Sequence, residues 1–249
     1  MKLKGKVAVV TGSTTGNGAA IARAFGHEGA DVVVHYNRSA AEANKVVSEI
    51  RKAGRDSFAA KADISVPAEC KRMFKEVEKR FGRVDVLVNN AGLADGTIWN
   101  SPIMSLNREM WLRVFSIDVF GAFDCVQGAL PLMRGGGSIV NVSSTPALAG
   151  DTQGLVYGSA KGAVLTMTKM LAKSLAPKVR VNCMVLGSIN TGWLKWFDQG
   201  QVEALKSYIP MKRFGEPTDV ANLAVFLASD DSAFMTGQGV VLDGGEVTD

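Results

Sequence analysis

Tyr157 and Lys161 stand four residues apart. On a helix that spacing sets them one above the other on a single face. An ammonium beside a phenol favours the phenolate, which brings proton exchange with an oxygen within reach near working pH. Such a pair is more often an ordinary surface contact, so its meaning depends on what the chain brings to it. The stretch that carries it, Ser144 to Lys161, begins where a strand-like run from Gly137 to Val142 ends in Ser143 and Ser144.

A second group of residues suits phosphate chemistry. Lys6 to Thr11 reads as a first strand and runs directly into ThrGlySerThrThrGlyAsnGly at 11–18, followed by a helix with Ala19, Ala20, Ile21, Ala24 and Phe25 on its apolar face. Strand, glycine turn and helix let a backbone approach a pyrophosphate and aim N-terminal amides at it. Gly12, Gly16 and Gly18 are the candidates. Their GxxxGxG spacing differs from the GxGxxG fingerprint; tight packing would also explain it, and the position after the first strand favours a nucleotide.

The second strand, Asp31 to His35, ends in HisTyrAsnArgSer. A carboxylate there would grip a ribose 2′-hydroxyl, whereas Tyr36 and Asn37 are uncharged and Arg38 is cationic, which predicts NADPH/NADP over NADH/NAD. Ser39 and Glu42 have capping-box spacing before a helix to about Ala53. Ser57 to Lys61 is a third strand leading to Asp63, an acceptor for an adenine amino group or a plain turn carboxylate. Ser65 and Pro67 open a helix through Phe81. Val84 to Val88 is a fourth strand that delivers AsnAsnAlaGly at 89–92, small residues that admit a ligand, with Asn89 also readable as a strap between strand ends.

Ser105 begins a helical pattern reaching Leu132, and the helix of Tyr157 and Lys161 continues to Leu175. Arg180 to Leu186 is a sixth strand. Ser188 to Phe214 is a less regular insertion with Trp193, Trp196 and Phe197; with Trp99 these aromatics either wall an apolar pocket or anchor the loop by packing. Thr218 and Asp219 cap a helix to Ala228, and Gly239 to Leu242 is the last strand. The alternation specifies one α/β domain, a Rossmann-type doubly wound parallel sheet of about seven strands with helices on both faces and ligands at the strands' C-terminal ends.

Composition narrows the classes. The chain has 249 residues, 47% apolar and 21% charged, and a net charge of +4. No uninterrupted apolar run reaches the roughly 18 residues of a membrane span, and the N-terminus lacks the form of a signal peptide, so cytoplasm is the expectation. Lys71, Arg72, Lys75, Lys79, Arg80 and Arg83 fit the solvated face of one helix, which argues against nucleic acid. Cys70, Cys125 and Cys183, without CxxC and with two histidines in the chain, support neither disulfides nor a metal site.

Taken in order, ThrGlyxxxGlyxGly at 11–18, Asp63, AsnAsnAlaGly at 89–92, Ser144 and TyrxxxLys at 157 and 161 resemble the short-chain dehydrogenase/reductase family over nearly the whole chain. Ser144 precedes Tyr157 by thirteen residues, the family's spacing, which selects it over Ser143. The resemblance implies that Tyr157 is the general acid in ketone reduction and the base in alcohol oxidation, that Ser144 stabilises the growing oxyanion, and that Lys161 holds the nicotinamide ribose. It implies cofactor contacts from Gly12, Ser13, Thr15, Gly16, Asn17 and Gly18, from Tyr36, Asn37, Arg38 and Ser39, and from Asp63, Ile64, Asn90, Ala91 and Gly92. Gly187, Ile189 and Thr191 complete that set beside Tyr157 and Lys161.

Three residues depart from the family pattern. Asn17 replaces an isoleucine or leucine, and Leu186 replaces the proline before Gly187, which should loosen the start of the substrate loop at about 187–215. Asp118 stands where an asparagine usually anchors a proton-relay water; it is expected to keep the relay and raise the pH optimum. The chain looks most like 3-oxoacyl-thioester reductases, with Arg134, Lys173 and Lys178 as an attraction for an acidic acyl carrier. A sugar (glucose-type) 1-dehydrogenase or another carbonyl or polyol dehydrogenase of the same family is the alternative, and a non-catalytic NADPH-binding regulator is the alternative of another class. A homotetramer is implied by the resemblance.

Overall fold

Every residue of the run Val7–Val10 is buried, as befits a strand covered on both faces. In the computed structural model, which describes residues 1–248, it is β1 of a seven-stranded sheet ordered β3-β2-β1-β4-β5-β6-β7. The others are β2 (Asp31–Tyr36), β3 (Ser57–Lys61), β4 (Val86–Asn89), β5 (Gly137–Ser144), β6 (Val179–Leu186) and β7 (Gly239–Leu242). All pairings are parallel. The order reverses between β1 and β4, which opens a crevice at their C-terminal ends.

The helices are α1 (Gly16–His27), α2 (Ala40–Lys52), α3 (Pro67–Phe81), α4 (Gly96–Trp99), α5 (Arg108–Phe115), α6 (Ala122–Ala129), α7 (Pro146–Ala149), α8 (Leu155–Leu175), α9 (Gln199–Tyr208) and α10 (Pro217–Ala228). Successive strand residues point to opposite faces. Val10 accordingly joins Ile21, Phe25, Ile50 and Leu227 from α1, α2 and α10. Val9 joins Met73, Phe74, Val126 and Ala172 from α3, α6 and α8. Fully burying a side chain such as Phe25 stabilises the fold by about 2–3 kcal/mol.

The cationic residues of α3 lie outward, and Cys70, Met73, Phe74 and Val77 lie inward. Between α5 and α6 the helix widens to π geometry over Ser116–Gly121, with Asp118 and Gly121 buried; such bulges recur at functional sites. The continuous stretch Arg108–Leu132 has 25 residues and includes 18 consecutive ones with a mean hydropathy of 1.2, long and apolar enough by composition to cross a membrane. Here it is a core helix, packed through Cys125, Val126, Ala129 and Leu132.

Several boundaries differ from the sequence reading. Ser105 lies in a 3-10 turn, and Asn107 caps α5 by accepting from the Met110 amide at 3.0 Å. Ser39 makes no side-chain cap on α2: its backbone, at φ −97° and ψ 68°, is not the extended conformation a capping residue adopts, and the Glu42 side chain pairs with Lys45 at 2.7 Å. Glu216 rather than Thr218 caps α10, with Pro217 at the first helical position, where a missing N–H costs nothing. The insertion holds a further helix, α9, started by an Asp198–Gln201 capping box.

Candidate active site

The alternation of β5 separates its two terminal serines. Ser143 is buried and donates its hydroxyl to the Lys161 carbonyl at 2.8 Å. Ser144 is half-buried at the sheet's C-terminal edge and donates to the Leu186 carbonyl at 3.1 Å. Ser143 is therefore a strut under α8, and Ser144 is the serine at the crevice.

Gly154, at φ +66°, starts α8 and brings Tyr157 and Lys161 over that edge. Lys161 Nζ lies 5.4 Å from the Tyr157 ring centroid and donates to the Val142 carbonyl at 3.2 Å. Asp118 Oδ2 lies 2.9 Å from Nζ, a buried ion pair. Asp118 Oδ1 accepts the Leu93 amide at 2.8 Å. A Cβ on Gly92 would stand 2.9 Å from Asp118 Oδ2 and 3.3 Å from Nζ, so glycine there makes room for the pair. Burial alone would strip the charge from Lys161; the Asp118 carboxylate, with Tyr157 adding, outweighs it and holds the ammonium above its ordinary range. Beneath it, burial pushes the Cys183 thiol up to about 12 and leaves it a neutral packing group.

The glycine turn lies across the crevice. Gly12 has φ +63°, and a Cβ on it would stand 2.9 Å from Ala91 Cα. One on Gly18 would meet the Gly12 carbonyl at 2.3 Å, and Gly16 faces Thr191 Cγ2 at 3.4 Å. Thr15 precedes α1 without a side-chain cap, and its first turn carries no acidic residue. The first-turn amides are thus open to an anion, and Asn17 Oδ1 is a buried acceptor without a partner. A backbone cradle free of side chains, ending in open amides, fits the pyrophosphate of a dinucleotide.

Other predicted contacts take supporting roles in the structure. Ser13 is buried, its hydroxyl donating to Val10 at 2.7 Å and accepting the His35 amide at 3.0 Å, so it braces the turn. Asn90 gives its amide to the carbonyls of Thr11 and Gly12 at 2.9 and 3.1 Å. Ile64 packs in the core beneath α3. Ile189 is buried, bridges to Gly215, and accepts the Trp193 indole N–H at 2.6 Å. In each case the side chain is already committed within the protein.

At the far end of the crevice, Tyr36 is half-buried and Asn37, Arg38 and Ser39 are exposed. Asp63 Oδ1 accepts from the Ser65 hydroxyl at 2.6 Å and Oδ2 from Asn37 at 3.1 Å. The Ser65 hydroxyl, then its amide, Asn37 and the Arg38 charge outweigh burial and hold the Asp63 carboxyl below its ordinary range. Asn89 is the strap between strands, donating to Asn141 at 2.9 Å and to Ala122 at 3.3 Å.

Leu186 does not loosen the substrate loop. It continues β6 against Leu242, its carbonyl accepts the Thr145 amide at 2.9 Å, and the Gly187 amide reaches Leu242 at 3.0 Å. Glu246 then accepts the Ser188 amide at 3.0 Å, and a Cβ on Gly187 would meet its Oε2 at 2.4 Å. Leucine supplies the strand N–H that proline lacks, so the loop starts from a pinned ladder.

The aromatics divide. Trp193 packs on Phe197 and Phe214 with ring centroids 5.5 and 6.2 Å apart, as a loop anchor. Trp99 meets the Tyr157 ring edge-on at 5.4 Å and donates to Gln153 at 3.1 Å. Trp196 lies on Gly96, whose added Cβ would be 3.1 Å from the indole. Arg134 and Lys178 precede β5 and β6, at the opposite edge of the sheet from Ser144, and Arg134 pairs with Glu78 at 3.4 Å.

Sequence reasoning missed His35 and Glu246. His35 is buried at the end of β2, with Nδ1 accepting the Gly12 amide at 2.9 Å and Nε2 3.0 Å from the Ala62 carbonyl. A histidine at the C-terminal end of an otherwise apolar strand was the available signal; Glu246 had none.

Residues 12–246 match the family model described as enoyl-(acyl carrier protein) reductase. The chain is 37% identical over 243 residues to the 3-oxoacyl-[acyl-carrier-protein] reductase of Staphylococcus aureus (strain Mu50), covering 96% of this chain and 97% of that one. It is similar to a blue fluorescent protein from a metagenomic library in complex with NADPH, with a TM-score of 0.92 and 33% identity over the whole of both chains. It is also similar to the angucycline C-6 ketoreductase LanV with bound NADP, at a TM-score of 0.91 and 32% identity over 98% of this chain and 96% of that one. With the match spanning nearly every residue of the crevice and its scaffold, the chain belongs to the short-chain dehydrogenase/reductase family, NAD(P)-dependent oxidoreductases that interconvert carbonyl and alcohol groups of small molecules.

Proposed function

We propose that the chain reduces the ketone of a 3-oxoacyl thioester with NADPH. The observation that carries the ketone chemistry is the dry Lys161 ammonium, one helical turn from Tyr157 and 5.4 Å from its ring. Tyr157 gives its proton to the substrate oxygen, and Ser144 donates a hydrogen bond to the same oxygen as charge grows on it. Lys161 stays protonated beside Asp118, binds the nicotinamide ribose and supports the phenol electrostatically. When bound, NADPH supplies the hydride.

Arg38, exposed at the end of β2, supports a 2′-phosphate and hence NADPH over NADH. The thioester preference is supported by the full-length similarity to a 3-oxoacyl-[acyl-carrier-protein] reductase. The whole of residues 1–249 acts as one cofactor-binding and catalytic unit, with the substrate loop at about 187–215. Leu112, Phe120 and Phe123, large apolar side chains left exposed along α5, the π-helical segment and α6, support assembly into a homotetramer.

The test is oxidation of NADPH and of NADH, side by side, with an acetoacetyl thioester, followed by the reverse reaction with glucose and other polyols. Thioester reduction with NADPH sustains the proposal. Sugar oxidation with little thioester activity would favour the second reading, a sugar dehydrogenase. That reading is supported by similarity to a solved glucose/ribitol dehydrogenase from Brucella melitensis, at a TM-score of 0.93 and 29% identity.

A further inference from the structure

The imidazole of His35 joins two loops that hold opposite ends of the crevice. The Gly12 amide donates to Nδ1 at 2.9 Å, so Nδ1 carries no proton. In the neutral ring the proton is then on Nε2, which donates to the Ala62 carbonyl at 3.0 Å. The backbone beside the ring repeats the connection: the Ser13 amide donates to the His35 carbonyl at 3.1 Å, and the His35 amide donates to Ser13 Oγ at 3.0 Å. Ala62 directly precedes Asp63, and Gly12 opens the glycine turn. His35 is 3% exposed, and burial, only partly opposed by the Ala62 carbonyl and Asp63, holds the imidazole below the ordinary histidine range and so favours its neutral form.

Gly12 has little freedom of its own. Its φ is +63°, its carbonyl is held by the Asn90 amide at 3.1 Å, and a Cβ would already touch Ala91. The peptide leading into Gly12 is held at both ends: its Thr11 carbonyl accepts the Asn90 amide at 2.9 Å, and among the described residues its N–H donates to Nδ1. Losing Nδ1 leaves that backbone donor unpaired in a part-buried turn, with only the Asn90 bond at the carbonyl end to hold the peptide against rotation.

We propose that His35 is a positioning residue for the dinucleotide, its Nδ1 acceptor fixing the Gly12 peptide so that the glycine turn and the open N-terminus of α1 face the pyrophosphate. This rests on the cofactor reading above and is independent of the substrate. The two ring nitrogens have different consequences. Nδ1 governs the turn, whereas Nε2 only ties the ring to the loop that follows β3.

Side-chain amides separate them. Asparagine can place Oδ1 where Nδ1 stands and accept the Gly12 N–H, but it does not reach Ala62. Glutamine can place its amide near the position of Nε2, reaching Ala62 and leaving Gly12 without an acceptor. Phenylalanine fills the ring volume and offers neither. NADPH fluorescence titrations of wild type, His35→Asn, His35→Gln and His35→Phe therefore read the acceptor directly, with a melting curve of each variant as the check on folding. The expected result is NADPH affinity within about threefold of wild type for His35→Asn and about tenfold weaker for His35→Gln and His35→Phe. In steady-state kinetics the loss falls on KM for NADPH, with much less change in kcat. Should His35→Phe fail to fold, the asparagine and glutamine pair still decides. Equal affinities for His35→Gln and wild type, or an asparagine variant as weak as the glutamine one, would overturn the assignment. A wild-type protein that binds no NADPH would instead remove the cofactor reading itself.

Discussion

Lys161 Nζ and Asp118 Oδ2 are 2.9 Å apart, with side chains 6% and 0% exposed. In so dry a setting neither charge is worth burying alone, and the pair persists because each answers the other and both retain backbone partners, Val142 for the lysine and Leu93 for the aspartate. The raised lysine value has a definite sign. Its contribution to stability is complete below the ordinary value of 10.5 and is lost only as pH climbs above that through the folded value. Lys161 therefore stays charged across any ordinary assay range.

Replacing Asp118 by Asn removes the negative charge and keeps an oxygen for the Leu93 amide. The Val142 carbonyl and Tyr157 remain to answer the lysine, whose charge then acts on Tyr157 without its counter-ion, and the pH–activity profile is expected to move to lower pH by about one unit. Superimposable profiles for Asp118→Asn and wild type would show that the carboxylate has no electrostatic influence on the proton transfer.

Removing the Tyr157 hydroxyl should separate binding from chemistry. The Tyr157→Phe ring still packs against Trp99, so the fold and the NADPH affinity are expected to hold while kcat falls by about 10²- to 10⁴-fold. Stopped-flow turnover and equilibrium NADPH binding on the same sample check both halves. Unchanged turnover would mean that the phenol is not the proton donor.

Gly154 and Trp99 set the wall beside that phenol. A Cβ at 154 would stand 2.6 Å from the Trp99 ring, and the backbone there has φ +66°. Gly154→Ala is expected to displace the indole and the first turn of α8, costing about 1–3 kcal/mol in stability. Trp99→Ala spares the backbone. It is expected to raise KM for the carbonyl substrate while leaving NADPH affinity intact, a split read by steady-state kinetics with each substrate varied in turn.

The buried His35 makes the fold acid-sensitive. Burial lowers its folded value below the unfolded one, so its contribution is present above about pH 6.5 and is lost as pH falls through the folded value. Melting temperatures of wild type and His35→Asn are expected to diverge below pH 6.5, the wild type dropping by about 2–4 °C for each kcal/mol lost. Parallel melting curves down to pH 5 would show that the imidazole is not held neutral.

The alternation of apolar strands with amphipathic helices determined the parallel sheet, because a strand's period of two and a helix's period of 3.6 are local properties of the chain. The Tyr157–Lys161 spacing and the glycine turn after β1 were legible for the same reason: both depend on one helix and one strand–helix junction. Cap positions were less so, since a cap needs an extended backbone at the N-cap residue, which Ser39 lacks and which the Ser39–Glu42 spacing does not encode. What only the tertiary structure decided is which side chains remain free for a ligand. Ser13, Asn90, Ile64 and Ile189 lie in the right segments, yet their side chains are committed to neighbours far away in sequence. His35 and Glu246 hold the two loops of the crevice through partners 23 and 58 residues distant. Such partnerships arise where separate strand ends converge at one edge of a sheet, and no local period in the sequence encodes that convergence.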